Sequence, residues 1–269
     1  MEPYIPDLGI AYPASPDEHI TPLIKVRDLM VDQNYPFLDR TWRFRFMRGL
    51  MHLGIFTLVF RLSPLRFGLK IEGRERLRKH RRLLQDGAMT VSNHIHRWDF
   101  LFVLQALRFR LMYFPAWKEN LMGRDGRIIR WAGGIPVPGT IHAMRGFNQA
   151  FDAIRAKKKW IHVFPESARW DYFYAIRPFK KGAFTLACRY NLPVLPLGFS
   201  YRKPRFPYTL VNLPRKKKLP MITLRIGEPL LPDSSLPRRE AVMRLRKDCH
   251  EAVTRLAGIE HNPYPAEGD

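Results

Sequence analysis

An apolar run, Ala88-Met89-Thr90-Val91, leads into Ser92-Asn93-His94-Ile95-His96-Arg97-Trp98, and Asp99 then opens a second apolar run from Phe100 to Leu107. The first run has the length of a buried strand and the second that of a helix, so the chain commits here to strand, tight loop and helix. The same alternation continues. Residues 111–114, 160–164, 194–199 and 221–226 read as short strands. Helical candidates lie between them at 119–131, 141–156 and 179–190, and Val242, Leu245, Cys249, Val253 and Leu256 recur at helical spacing in the last long segment. An α/β fold is predicted, with a mixed central sheet covered by helices.

The spacing of His94 and Asp99 carries chemistry. In an unbroken α-helix two residues five apart sit about 140° around the axis from each other, so these two side chains meet only across a bend. With His94 in the loop and Asp99 in the first helical turn, the carboxylate can fold back onto one ring nitrogen and leave the other for a substrate hydroxyl. Asp99 would then select the tautomer and stabilise the imidazolium, as in a Ser-His-Asp arrangement with the substrate alcohol in place of the serine. An Asp at a helix start also serves as a cap or a dipole partner, and the residues alone leave both readings open. A third reading takes His94, His96 and Asp99 as the start of a zinc hydrolase site. His142, His162, His250 and His261 stand singly, however, and no second ligand cluster completes it.

The chain has 269 residues, 46% of them hydrophobic, enough to bury a full core in one large domain. Two cysteines, Cys188 and Cys249, imply no disulfide framework, and a reducing compartment is expected. Met1-Glu2-Pro3-Tyr4 lacks the basic and apolar regions of a signal peptide, and residues 1–40 are expected to form an extended arm.

Lys and Arg number 46 against 24 Asp and Glu, a net charge of +22. Such an excess calls for an anionic partner, either nucleic acid or an acidic membrane surface. The arrangement over 41–66 favours lipid. Trp42-Arg43-Phe44-Arg45-Phe46-Met47-Arg48 precedes an almost wholly apolar stretch from Gly49 to Phe60, with Arg61 and Arg66 beyond it. That stretch is shorter than the roughly 20 residues that span a bilayer, and it suits a helix lying in the interface. A buried core helix with a basic flank is the alternative. The runs Lys157-Lys158-Lys159 and Arg215-Lys216-Lys217-Lys218 could meet phosphates, but no zinc-ligand pairs, stacking motif or basic heptad region accompanies them, and no nucleic-acid partner is expected.

Two further groups sit where loops should leave strands. Pro165-Glu166-Ser167-Ala168-Arg169 follows the strand at 160–164, the place where α/β folds commonly bind ligands. Arginine there suits a phosphate, since its planar fork bonds two oxygens at once, although an ordinary surface Glu-Arg pair would look the same. Gly133-Gly134-Ile135-Pro136-Val137-Pro138-Gly139 reads by itself as a tight turn and an edge strand.

Taken in order, Asn93-His94 with Asp99, Gly134-Ile135-Pro136-Val137, Phe164-Pro165-Glu166-Ser167-Ala168-Arg169 and Leu192-Pro193-Val194-Leu195-Pro196 resemble the four motif blocks of the glycerolipid acyltransferases related to 1-acyl-glycerol-3-phosphate acyltransferase. The resemblance covers roughly residues 85 to 200. It implies a glycerol-3-phosphate acyltransferase-like fold. It also implies an enzyme at the cytoplasmic face of the membrane, peripheral or monotopic, that moves a fatty acyl group from acyl-CoA or acyl-carrier protein to a lysophospholipid hydroxyl. His94 and Asp99 would be the catalytic pair, and Glu166 and Arg169 would bind the phosphorylated acceptor with Gly134 of the second block. Ala116-Trp117-Lys118-Glu119-Asn120-Leu121 resembles the family's Lys-x-x-Leu segment and nominates Lys118 as a substrate-site cation. No cofactor or metal is implied.

The departures from the family pattern concern the acceptor. Pro138 stands where the second block usually carries an arginine, and Ser167, Ala168 and Trp170 replace the glycine, threonine and serine of the third. Arg130 and Arg145 are candidates to supply the missing charge. The expected organisation is an arm over 1–40, an amphipathic membrane-interface segment over 41–66, the acyltransferase domain over 67–258 and a tail over 259–269. A metal-dependent hydrolase and a non-enzymatic basic protein binding membranes or nucleic acid are the competing classes.

Overall fold

The computed structural model describes residues 4–20, 31, 35–108, 110–122, 125–211 and 219–266. A helical segment comes first: α1 (Trp42–Gly54), a π-helical turn over Ile55–Val59, and α2 (Phe60–Phe67). Then follow β1 (Lys70–Glu72), α3 (Arg74–Lys79), β2 (Met89–Ser92), α4 (Asp99–Leu107), β3 (Met112–Ala116), α5 (Lys118–Met122), α6 (Gly126–Ala132) and β4 (Gly134–Pro136). The chain continues through α7 (Ile141–Ala156), β5 (Trp160–Val163), α8 (Gly182–Tyr190), β6 (Val194–Arg202), α9 (Tyr208–Val211), β7 (Met221–Ile226) and α10 (Arg238–Ala257).

The seven strands form one sheet in the order β1-β7-β6-β2-β5-β3-β4. All neighbours are parallel except β6 and β7, so the sheet is mixed, as the sequence predicts. The central strand β2 is buried along its whole length, Thr90 and Ser92 included, so both of its faces lie inside the fold although its polar and apolar residues alternate. One face of the sheet packs Phe147, Phe151, Phe184, Leu245 and Val253 from α7, α8 and α10. The other packs Phe102, Val103 and Leu104 of α4.

Several predicted elements shift. The single helix expected over 119–131 is two, α5 and α6. At Gly126 a side-chain Cβ would lie 1.9 Å from the Leu121 carbonyl oxygen, a close approach that glycine alone permits. The helix expected from 179 begins at Gly182, leaving Phe179 in the loop and buried in the core. The strand expected to stop at Phe114 runs on through Pro115. β5 pairs only with Met112 and Tyr113, so the missing proline N–H leaves no β5 bond unmade. The short edge elements β1 and α3 carry no periodic signal and were not predicted. The Arg215–Lys218 run lies outside the described residues.

The 41–66 segment is helical but longer than the apolar run that marks it. From Trp42 to Phe67 it is one 26-residue helix, long and apolar enough by length and composition to cross a membrane. Its inner face is nonetheless held by the domain: α1 packs on α6, α2 on α9, and His52, Ile55 and Ser63 are buried. Its outer face exposes Trp42, Phe46, Leu50, Leu53, Leu58, Leu62 and Leu65. The π turn explains the step of five between Leu53 and Leu58. One extra residue in that turn keeps the later leucines in line with the earlier ones.

Candidate active site

His94 follows β2 at the end of the sheet where the parallel strands exit. The loop after it turns back so that one oxygen of Asp99, Oδ2, accepts three N–H groups. It takes the His94 ring Nδ1–H at 2.9 Å, the Ile95 backbone N–H at 2.7 Å and the His96 backbone N–H at 2.9 Å. Asp99 therefore both fastens the loop and orients the ring, but none of the three N–H groups belongs to α4, so this contact is not a cap of that helix. With Nδ1 donating to Asp99, the lone pair falls on Nε2, and among the described residues Nε2 has no hydrogen-bond partner. Phe164, just past β5, stacks on the imidazole with ring centres 4.0 Å apart.

The electrostatics favour a neutral ring. Burial holds the His94 pKa well below the ordinary histidine value, and Arg169 and Arg177 lower it further. Burial pushes the Asp99 carboxyl upward, while the backbone N–H groups of His96 and Ile95 pull the other way.

His96 goes elsewhere. Its Nδ1 accepts the Trp98 N–H at 3.1 Å and its ring packs among Phe67, Phe102 and Tyr172. Burial, with Arg169 next, brings its pKa down to about 3. Among the described residues no three His, Cys, Asp or Glu side chains are grouped to hold a metal ion.

Glu166 and Arg169, adjacent in the sequence argument, have different surroundings. Glu166 is buried; Oε2 accepts the His94 backbone N–H at 2.8 Å and Oε1 accepts the Arg177 N–H at 2.8 Å. Its ion-pair partner is Arg177, at 3.1 Å, not Arg169. Arg177, itself buried, also donates to the carbonyls of Pro16 and Ala168 and lies over the Trp170 ring. Nothing in the sequence pattern singles out Arg177, which stands eleven residues from its partner. Arg169 is ion-paired to Asp171 at 2.8 Å and keeps 28% of its side chain exposed. Lys118 opens α5 immediately after β3 and is half-buried. Gly134 starts β4 at the sheet edge, where a Cβ would sit 2.7 Å from Ile129 Cγ2. Arg130 is engaged by the Tyr35 hydroxyl and the Pro36 carbonyl, and Arg145 is exposed on α7.

The third-block substitutions have visible consequences. Ser167, in place of glycine, adopts a left-handed backbone with φ +62°. Ala168 is fully buried. Trp170, in place of serine, donates its Nε1–H to the Glu18 carbonyl at 2.7 Å and stacks with Tyr12. Tyr12 donates to the Asp171 carbonyl, Lys180 pairs with Asp17, and the His19 ring meets Trp117 edge-on. Residues 12–19 of the arm predicted over 1–40 are thus seated across the loops that leave β5 and β3, whereas Tyr35 and Phe37 pack on α6 and α7. His19 comes near enough to His94 to disfavour its protonation.

The acyltransferase family model matches residues 68–200, which contain His94, Asp99, the Glu166 loop, five of the seven strands and most of β6. The chain belongs to the acyltransferase family. Among solved structures, the 1-acyl-sn-glycerophosphate (LPA) acyltransferase PlsC from Thermotoga maritima shares the fold of this acyltransferase, with a TM-score of 0.51 and 21% identity over 82% of this chain and 84% of that one. No curated protein matches it.

Proposed function

We propose that this acyltransferase moves a fatty acyl group from an acyl thioester, acyl-CoA or acyl-carrier protein, to the hydroxyl of a lysophospholipid, with 1-acyl-glycerol-3-phosphate the first acceptor to test. The observation that carries the reading is the contact of His94 Nδ1 with Asp99 Oδ2 at 2.9 Å, which leaves Nε2 as the basic nitrogen. In the proposed step Nε2 takes the proton of the acceptor hydroxyl as its oxygen attacks the thioester carbonyl. The tetrahedral intermediate then expels the thiolate, which takes up the proton held on the imidazolium. A positioned base contributes typically about 100- to 10,000-fold to such a step. Asp99 fixes the tautomer and stabilises the transient imidazolium. No serine or cysteine nucleophile enters.

Arg169 is the proposed cation for the acceptor phosphate, on three grounds. It stands in the loop that exits β5 beside His94, it is partly exposed, and its guanidinium offers a fork of donors. Glu166 has both oxygens engaged by the protein, and the role proposed for it is to position His94. The exposed apolar face of the Trp42–Phe67 helix supports an interfacial location for the enzyme, where both lipids dissolve. Phe67 at its end contacts His96 in the catalytic loop, with ring centres 5.3 Å apart.

The test is to incubate purified enzyme with a panel of lysolipids and acyl thioesters, following free thiol and product mass, alongside His94→Ala. Thiol release that requires a lysophospholipid and vanishes in the folded variant is expected. Undiminished turnover by His94→Ala would remove the base, and thiol release indifferent to every lysolipid would remove the acceptor class.

A further inference from the structure

A second cationic site lies at the other end of the sheet. In the parallel set β2, β5, β3 and β4, His94 follows an exit end, whereas Gly133 and Lys159 stand at the entry ends of β4 and β5. Next to those entry ends is a cavity of about 190 Å³, closed on one side by α1. Arg40, Arg45, Arg48, Arg130, Lys157 and Lys159 line it, with Asp39 the only carboxylate among the described residues that do so. That carboxylate is already used: its Oδ1 accepts the Thr41 N–H at 2.9 Å and the Thr41 hydroxyl at 2.7 Å where α1 begins. Arg130 is braced by Tyr35 and Pro36. Arg48 lies over the Tyr113 ring at 4.3 Å, and its Nε and Nη2 are buried without a hydrogen-bond partner among the described residues. Buried donors of this kind cost stability unless an acceptor arrives.

The position narrows the acceptor. Trp42 and Phe46, at the start of the exposed apolar face of α1, flank the wall residue Arg45 in sequence. An anion held in the cavity would have hydrocarbon beside it. We propose that this cavity binds the phosphate of an anionic phospholipid headgroup, a bilayer lipid rather than the reacting acceptor, and so fixes the basic end of the helix to the membrane while its other end abuts the catalytic loop. The assignment rests on the interfacial reading of Trp42–Phe67.

The experiment measures partition of the full chain onto vesicles of phosphatidylcholine alone and with phosphatidylglycerol added, at one ionic strength. Arg48→Gln/Lys157→Gln/Lys159→Gln is compared with Arg78→Gln/Arg81→Gln/Arg82→Gln, an equal charge removed from exposed arginines elsewhere. The cavity variant should lose about tenfold or more of its partition to anionic vesicles, the control about threefold or less, and neither should change on neutral ones. If the triple variant misfolds, Lys157→Gln/Lys159→Gln carries the same comparison with Arg81→Gln/Arg82→Gln. Equal losses in the cavity and control variants would overturn the cavity in favour of diffuse charge. Calorimetric binding of glycerophosphate in solution, with vesicle partition unchanged in the cavity variant, would assign it to a soluble phosphate instead. Leu53→Glu/Leu58→Glu separates the two layers of the claim. Loss of binding to both vesicle types in that variant sustains the interfacial helix whatever the cavity variant does, and wild-type protein that binds neither vesicle removes helix and cavity together.

Discussion

Glu166 grips the backbone of His94: its Oε2 accepts the histidine N–H at 2.8 Å while Arg177 closes on the same oxygen at 3.1 Å. A carboxylate in the third sequence block thereby sets the position of the proposed base in the first, through the main chain. Replacing it by an amide places a donor against donors.

Glu166→Gln should lower stability by about 3 kcal/mol, the usual cost of leaving one member of a buried ion pair unmatched. It should lower kcat, with the acceptor KM changing less than about twofold. Urea unfolding and steady-state kinetics check both. A raised acceptor KM at unchanged kcat would instead make Glu166 a substrate ligand.

Arg169→Ala should act on the other kinetic parameter. A charge-assisted hydrogen bond to phosphate contributes about 1.5–3 kcal/mol, so the acceptor KM should rise roughly tenfold or more while the thioester KM holds. Equal rises for both substrates would argue against a phosphate contact.

The pH profile follows from the sign of the His94 shift. Burial, then Arg169 and Arg177, keep the imidazole neutral at pH values where an exposed histidine is protonated. The base form survives below the ordinary value of about 6.5, so the acid limb of kcat/KM should lie below pH 6.5. In Arg169→Ala that limb should move upward, because a cation that disfavours imidazolium is gone. A wild-type limb at or above pH 6.5 contradicts the assignment.

Ser167→Gly should stabilise the enzyme by about 0.5–1 kcal/mol. The serine holds φ +62°, costly for any residue with a Cβ, and glycine removes that strain at some loss of chain entropy. Thermal unfolding measures the gain. A fall in activity with it would show that the hydroxyl is used.

The legible parts of the site were those decided within a few residues. His94 and Asp99 stand at the two ends of one short loop, so their spacing alone demanded the bend that the structure contains. The buried strands announced themselves by short, largely apolar runs, even though Thr90, Ser92, His162 and Thr223 interrupt them. The partner of Glu166 was not legible, since the sequence set it beside Arg169 and only the path of the loop delivers Arg177. Nor was the seating of the arm: Tyr12, Glu18 and His19 reach the site by tertiary contacts with Trp170 and Trp117 that leave no periodic trace. Gly126 hid a helix break, because one glycine in an otherwise helical pattern does not reveal that a neighbouring carbonyl needs its space.

The surplus residue in the π turn makes this enzyme unusually intolerant of changes in length. Removing any one of Ile55–Val59 would wind the segment into plain α-helix and swing everything after it by about 100°. Leu62 and Leu65 would leave the outer face, Ser63 its buried seat, and Phe67 its contact with His96. A single-codon deletion far from His94 and Asp99 would thus reach the loop that joins them, where most point substitutions on the same helix would not.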